Sequence, residues 1–94
     1  MSKQIKRIHA IVHGQVQGVF FRETTRQEAQ KLSLTGWVKN LADGTVETEF
    51  QGEEETVKQL LEWLQQGSSM SHVTRVECRD TDPVSGESGF AITW

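Results

Sequence analysis

The sequence predicts an α+β fold of the ferredoxin-like kind: a β-α-β-β-α-β order, two helices on one face of an antiparallel sheet, and a short extra strand near the C-terminus. Three observations carry this expectation. Several short runs alternate apolar and polar residues, the period of a half-buried strand. Two intervening segments repeat their apolar residues at the spacing of a helix face. Between two strand-like runs stands Asp43-Gly44, a hairpin turn signal.

Taken in order, Ile8-His9-Ala10-Ile11-Val12-His13 places Ile8, Ala10 and Val12 on one face, so a first strand is predicted over roughly 5–13. A loop over 14–21 follows. Phe21, Thr25, Ala29 and Leu32 then share one helical face, predicting a helix over about 22–33 that ends at Leu34-Thr35-Gly36. Trp37 to Asn40 reads as a second strand. Thr45 to Phe50 reads as the third, with Val46, Thr48 and Phe50 on one side. Glu53, Glu54 and Glu55 open a second helix over about 53–65, where negative charge suits the helix dipole. Its stripe is Val57, Leu60, Leu61 and Leu64, and Gly67 suits its C-terminal end. Val73 to Cys78 reads as a strand with Thr74, Val76 and Cys78 on one face. Residues 80–89 hold the only proline, Pro83, and form a long connection. Phe90 to Trp94 alternates as a last strand.

A chain of 94 residues makes one small domain, 1–94, with a single core. One cysteine, Cys78, excludes an intramolecular disulfide and any multi-cysteine zinc site. No apolar run reaches the length that spans a bilayer. No apolar signal core follows Lys3, Lys6 and Arg7. The expectation is a soluble, cytoplasmic protein, and a monomer, since no long apolar edge or heptad is present. The net charge of −3 disfavours general nucleic-acid binding. That charge is unevenly placed. Residues 1–40 hold seven basic side chains (Lys3, Lys6, Arg7, Arg22, Arg26, Lys31, Lys39) against two acidic ones, whereas the rest holds three against eleven. The basic half contains the loop that draws attention next, and a local positive field attracts small anions whatever the total.

That loop is Gly14-Gln15-Val16-Gln17-Gly18-Val19-Phe20-Phe21-Arg22. A glycine-containing loop between a strand and a helix points several backbone N–H groups at one spot, which suits a phosphoryl group. Arg22 stands at the helix start, and its planar fork matches phosphate oxygens in pairs. The alternative is that Gly14 and Gly18 only permit a turn and Arg22 is a solvated charge. Asn40 ends the strand after the helix, near this loop in a split βαβ sheet. Its amide either holds a water against a phosphoryl group or caps the turn locally.

Other chemistries find little support. No Gly-Lys-Ser/Thr follows the glycines, so a Walker A loop is absent, and a dinucleotide fingerprint would need three spaced glycines. His9 and His13 on a strand lie about 13 Å apart, too far for one metal, and read as solvated or edge-strand histidines; His72 stands alone. Cys78, on the apolar face of its strand, reads as a buried, inert thiol. Ser68, Ser69 and Ser71 lack a nucleophile elbow. Trp37, Trp63 and Trp94 read as packing residues. An RNA-binding sheet would need exposed aromatic and basic residues on its strands, and no such motif is present.

The loop signature, together with Gly36-Trp37-Val38-Lys39-Asn40 and Asp43-Gly44-Thr45-Val46, resembles the acylphosphatase family, whose patterns are G-x-V-Q-G-V-x-F-R and G-W-V-x-N … D-G-x-V. Gly52-Glu53, Ser71-His72-Val73 and Phe90-Ala91-Ile92 are similar but less specific. The resemblance implies hydrolysis of small acyl phosphates to a carboxylate and inorganic phosphate, with no metal and no cofactor. It implies that the backbone of Gln15, Val16, Gln17, Gly18, Val19 and Phe20, together with Arg22, binds the phosphate, and that Asn40 positions the attacking water. The departures, around Ser68-Ser69-Met70 and over 80–89, lie outside both signatures. The alternative function is a non-catalytic anion-binding or interaction module on the same fold.

Overall fold

A computed structural model of the protein describes residues 4–94; Met1, Ser2 and Lys3 lie outside it, and with them the first of the basic residues. Seven elements follow one another: β1 (Ile5–Gln15), α1 (Phe21–Lys31), β2 (Thr35–Asn40), β3 (Val46–Glu53), α2 (Glu54–Gln66), β4 (His72–Thr81) and β5 (Phe90–Ile92). The five strands form one sheet in the order β4-β1-β3-β2-β5. This is the ferredoxin-like α+β fold expected.

The alternation in the strands explains the layers. Ile8, Ala10 and Val12 of β1, Val38 of β2, and Val46, Thr48 and Phe50 of β3 are buried on one face. Phe21, Thr25 and Ala29 of α1 and Val57, Leu60 and Leu64 of α2 close the core. Burying a side chain such as Phe50 stabilises by roughly 1.5–3 kcal/mol, so the few fully buried positions carry much of the fold. Trp63 stacks on Phe21 with ring centroids 5.6 Å apart and joins the two helices, in keeping with a packing role.

Within the sheet, the structure departs from the sequence reading in four places. First, the sheet is mixed: β5 pairs with β2 in parallel, while the other pairs are antiparallel. The 82–89 segment leaves β4 at one edge of the sheet and enters β5 at the other, so it must cross the sheet. It passes over the helix-free face, where Val84 exchanges hydrogen bonds with the Gln51 side chain.

Second, β1 and β4 are longer than expected. β1 runs through Gly14 to Gln15, which pairs with His72, with a register shift between His13 and Gly14. Gly14 has φ +124°, and a Cβ there would stand 2.0 Å from the His72 carbonyl oxygen. Its glycine is therefore required by close strand approach rather than by the loop.

Third, Cys78 lies opposite Ala10 on the helix-bearing face, as its alternation implies, yet it is exposed rather than buried. β4 is an edge strand, and no residue along it is fully buried. Alternation reports the face a residue occupies, not whether anything covers that face.

Fourth, His9 and His13 belong to an inner strand rather than an edge. Each is half-buried on the helix-free face beside a carboxylate, His9 Nε2 2.7 Å from Glu47 and His13 Nε2 2.7 Å from Glu77. No group of three or more His, Cys, Asp or Glu side chains with metal-site geometry occurs among the described residues.

The crossing segment is held by Arg7, only 3% exposed although charged. Its guanidinium donates to Glu49 at 2.7 Å, to Gln51 at 3.0 Å and to both oxygens of Glu87 at 2.8 and 3.2 Å. The hydrogen bond from Arg7 holds the Glu87 carboxyl below its ordinary value of 4.5. A carboxyl depressed in the folded state adds stability that is full above its unfolded pKa and is lost as the pH falls through the folded one. Glu87→Gln is therefore expected to cost about 1–3 kcal/mol at neutral pH. The gap to the unsubstituted protein should narrow progressively as the pH is lowered from neutrality to below 4.5. Urea unfolding across that range checks this; a gap that does not change with pH would refute it.

Candidate active site

The sheet topology brings two distant segments to one end. β1 and β2 flank β3 and run in the same direction, so their C-terminal ends lie on the same side of the domain. Val46 of β3 pairs with Val12 on one side and with Asn40 on the other. At the usual strand spacing, Asn40 stands about 10 Å across the sheet from the last turn of β1. The 16–20 loop bridges that gap. The Gln17 side chain donates from Nε2 to the carbonyl oxygens of Leu41 and Thr45, both at 2.8 Å. Gln17 thereby staples the loop to the β2–β3 turn.

The loop backbone is built for display. Gly18 has φ +74° with open space where a Cβ would lie, so its glycine answers to conformation and not to crowding. Phe20 has φ +59° despite its side chain and stands at the N-cap of α1 with no side-chain capping bond. A left-handed non-glycine residue costs on the order of 1–3 kcal/mol and is typical of functional loops. The N–H groups of residues 17–20 donate to no acceptor among the described residues. An uncapped helix start preceded by such a loop favours an anion.

Beside that helix start opens a cleft of about 270 Å³, walled by Val16, Gly18, Phe20, Arg22, Asn40 and the C-terminal residues Ile92 and Trp94. Arg22, the second residue of α1, has no carboxylate partner among the described residues. Its neighbour Glu23 also reaches the cleft, but Arg26 engages both Glu23 oxygens. That hydrogen bonding lowers the Glu23 pKa. The local-cap alternative for Asn40 does not apply, because Asp43 caps the turn: its Oδ1 accepts from the Thr45 N–H at 3.0 Å and from the Thr45 hydroxyl at 2.5 Å. The Asn40 Oδ1 is buried without a hydrogen-bond partner among the described residues. A buried amide oxygen left in this way is costly unless something polar completes it.

Of the residues singled out in the sequence, Val16, Gly18, Phe20, Arg22 and Asn40 meet at the cleft. Three do not line it. Gln15 is paired in β1, Gln17 is the staple, and the Val19 side chain turns to a neighbouring hollow with Trp63 and Met70. The sequence reading missed Trp94. Expected as strand packing, it lies beyond β5, is 91% exposed, and carries the Arg22 guanidinium over its ring at 4.3 Å from Cζ to centroid. No local sequence pattern marks it, because its partner is 72 positions earlier in the chain.

Known proteins share the sequence pattern and the overall fold. The acylphosphatase family model matches residues 8–92. An acylphosphatase of Pseudomonas paraeruginosa is 49% identical over 85 residues, covering 90% of this chain and 92% of that protein. The crystal structure of the acylphosphatase from Bacillus subtilis superposes with a TM-score of 0.90 at 36% identity, covering 97% of this chain and all of that one. An acylphosphatase structure from Coxiella burnetii gives a TM-score of 0.90 at 41% identity and covers 99% of each chain.

Proposed function

The chain belongs to the acylphosphatase family and hydrolyses acyl phosphates, and on that premise we propose how its own residues perform the reaction. The phosphoryl group of a small acyl phosphate sits against the unengaged backbone N–H groups of residues 17–20, gripped by the Arg22 fork. The Asn40 amide holds a water on the far side of the phosphorus. The water oxygen attacks phosphorus, the bond from phosphorus to the acyl oxygen breaks, and the carboxylate leaves with the electron pair. The water's proton passes to a phosphoryl oxygen of the substrate itself.

The observation that carries this reading is the meeting, in one cleft at an uncapped helix start, of an arginine and a buried amide oxygen that have, among the described residues, no carboxylate partner and no donor respectively. No cleft group is well suited to general-base work. Asn40 is neutral, and Glu23 is made a weaker base by Arg26. Catalysis then rests on positioning and charge stabilisation, which suffice when the leaving group is a stable carboxylate. The cell's enzyme, on this reading, is a cytoplasmic monomer that uses no metal or cofactor and binds inorganic phosphate as product. No helix among the described residues is long and apolar enough to cross a membrane.

The test is hydrolysis of benzoyl phosphate with EDTA present, followed across pH. Turnover should persist in EDTA, and kcat should stay nearly level between about pH 6 and 8. A bell-shaped kcat profile centred near neutrality would show an ionising base and overturn the proton route. A folded protein that binds phosphate yet turns nothing over would be an anion-binding module.

A further inference from the structure

We propose that Trp94 is a positioning residue for the phosphate-binding arginine, an inference that rests on Arg22 being the phosphate ligand. Two observations carry it. The Arg22 guanidinium lies over the Trp94 ring with Cζ 4.3 Å from the centroid, within cation–π range. The backbone just before Trp94 is tied to the sheet beyond the end of β5, since the Thr93 N–H donates to the Val38 carbonyl at 2.8 Å. Val38 is two residues from Asn40, so the C-terminal residues are led along β2 to the cleft.

The geometry of a guanidinium explains why an indole is the suitable partner. All five donors of arginine lie in the plane of the group. A carboxylate would hold Arg22 by consuming those donors and cancelling the charge the phosphate needs. An aromatic face takes up one side of the plane instead and leaves the donor edge free. It also reduces the rotamer freedom that would otherwise be lost on binding. The packed core does not include Trp94, which is almost wholly exposed, so the indole is not required for folding.

The experiment uses inorganic phosphate as a competitive inhibitor of benzoyl phosphate hydrolysis, with Arg22→Ala, Trp94→Leu and Trp94→Phe compared with the unsubstituted chain. Trp94→Leu removes the aromatic face but keeps apolar bulk. It should raise the phosphate Ki by about two- to fivefold, the size of an exposed cation–π contact, and lower kcat/KM by at least as much, because the same arginine meets the transition-state charge. Trp94→Phe keeps a ring and should restore most of that loss. If Arg22→Ala weakens phosphate binding but Trp94→Leu does not, the positioning role is wrong and the arginine's role stands. If Phe performs no better than Leu, the contact is not made through the ring face and the inference fails. If Arg22→Ala leaves phosphate binding unchanged, the reading of Arg22 as ligand falls first.

Discussion

Asn40→Ala is expected to lower kcat by about 10²- to 10³-fold while leaving inorganic phosphate binding within a fewfold of normal. The amide stands at the end of β2, where its oxygen is buried and accepts no hydrogen bond from the described residues. Its proposed partner is the attacking water, which matters only once the substrate is in place. Removing it therefore leaves the ground-state grip intact and strips orientation from the nucleophile. Truncation should not unfold the domain, because the turn beside it is capped by Asp43 and stapled by Gln17. Steady-state kinetics with phosphate as inhibitor, plus a thermal melt, separate the effects. A large rise in the phosphate Ki would mean that Asn40 holds the phosphoryl group rather than the water.

Arg22→Ala should behave differently, with phosphate binding weakened by about 10- to 100-fold through loss of charged hydrogen bonds. The fall in kcat/KM should be larger, about 10³-fold, because a positioned arginine also meets charge that develops in the transition state. Arg22→Lys keeps the charge but loses the two-pronged fork, so it should recover only part of the loss. Arg22 is free to serve in this way because the neighbouring acid is otherwise engaged. Glu23 belongs to Arg26 on the next turn of α1. An Arg22→Ala protein that bound phosphate normally would leave the loop backbone as the sole anion site.

The elements whose residues speak for themselves were legible in the sequence. The helix of Val57, Leu60 and Leu64 and the strand of Val46, Thr48 and Phe50 show their period over a few consecutive turns or pleats, and that period is the burial pattern observed. The Asp43-Gly44 turn and the acidic start of α2 follow equally from local chemistry. Arg22 and Asn40 could be placed near one another because a split βαβ order leaves few ways for the first two parallel strands to end.

Other features depended on contacts between segments far apart in the chain. Arg7 reads as one more surface cation until the 82–89 segment crosses over it and brings Glu87. Gln17 sits in a loop read for its backbone, whereas its side chain serves as a staple.

By itself, then, the sequence determined the alternation, the helix stripes and the turn, each encoded within about a dozen neighbouring positions, and it offered the 14–22 loop, Arg22 and Asn40 as candidates for phosphoryl chemistry. Only the tertiary structure decided that β5 runs parallel to β2, that Cys78 is left uncovered at the sheet edge, and that Trp94 meets Arg22. The physical reason is common to the three: local periodicity says which face a side chain takes, and only the packing of remote segments says what, if anything, lies against it.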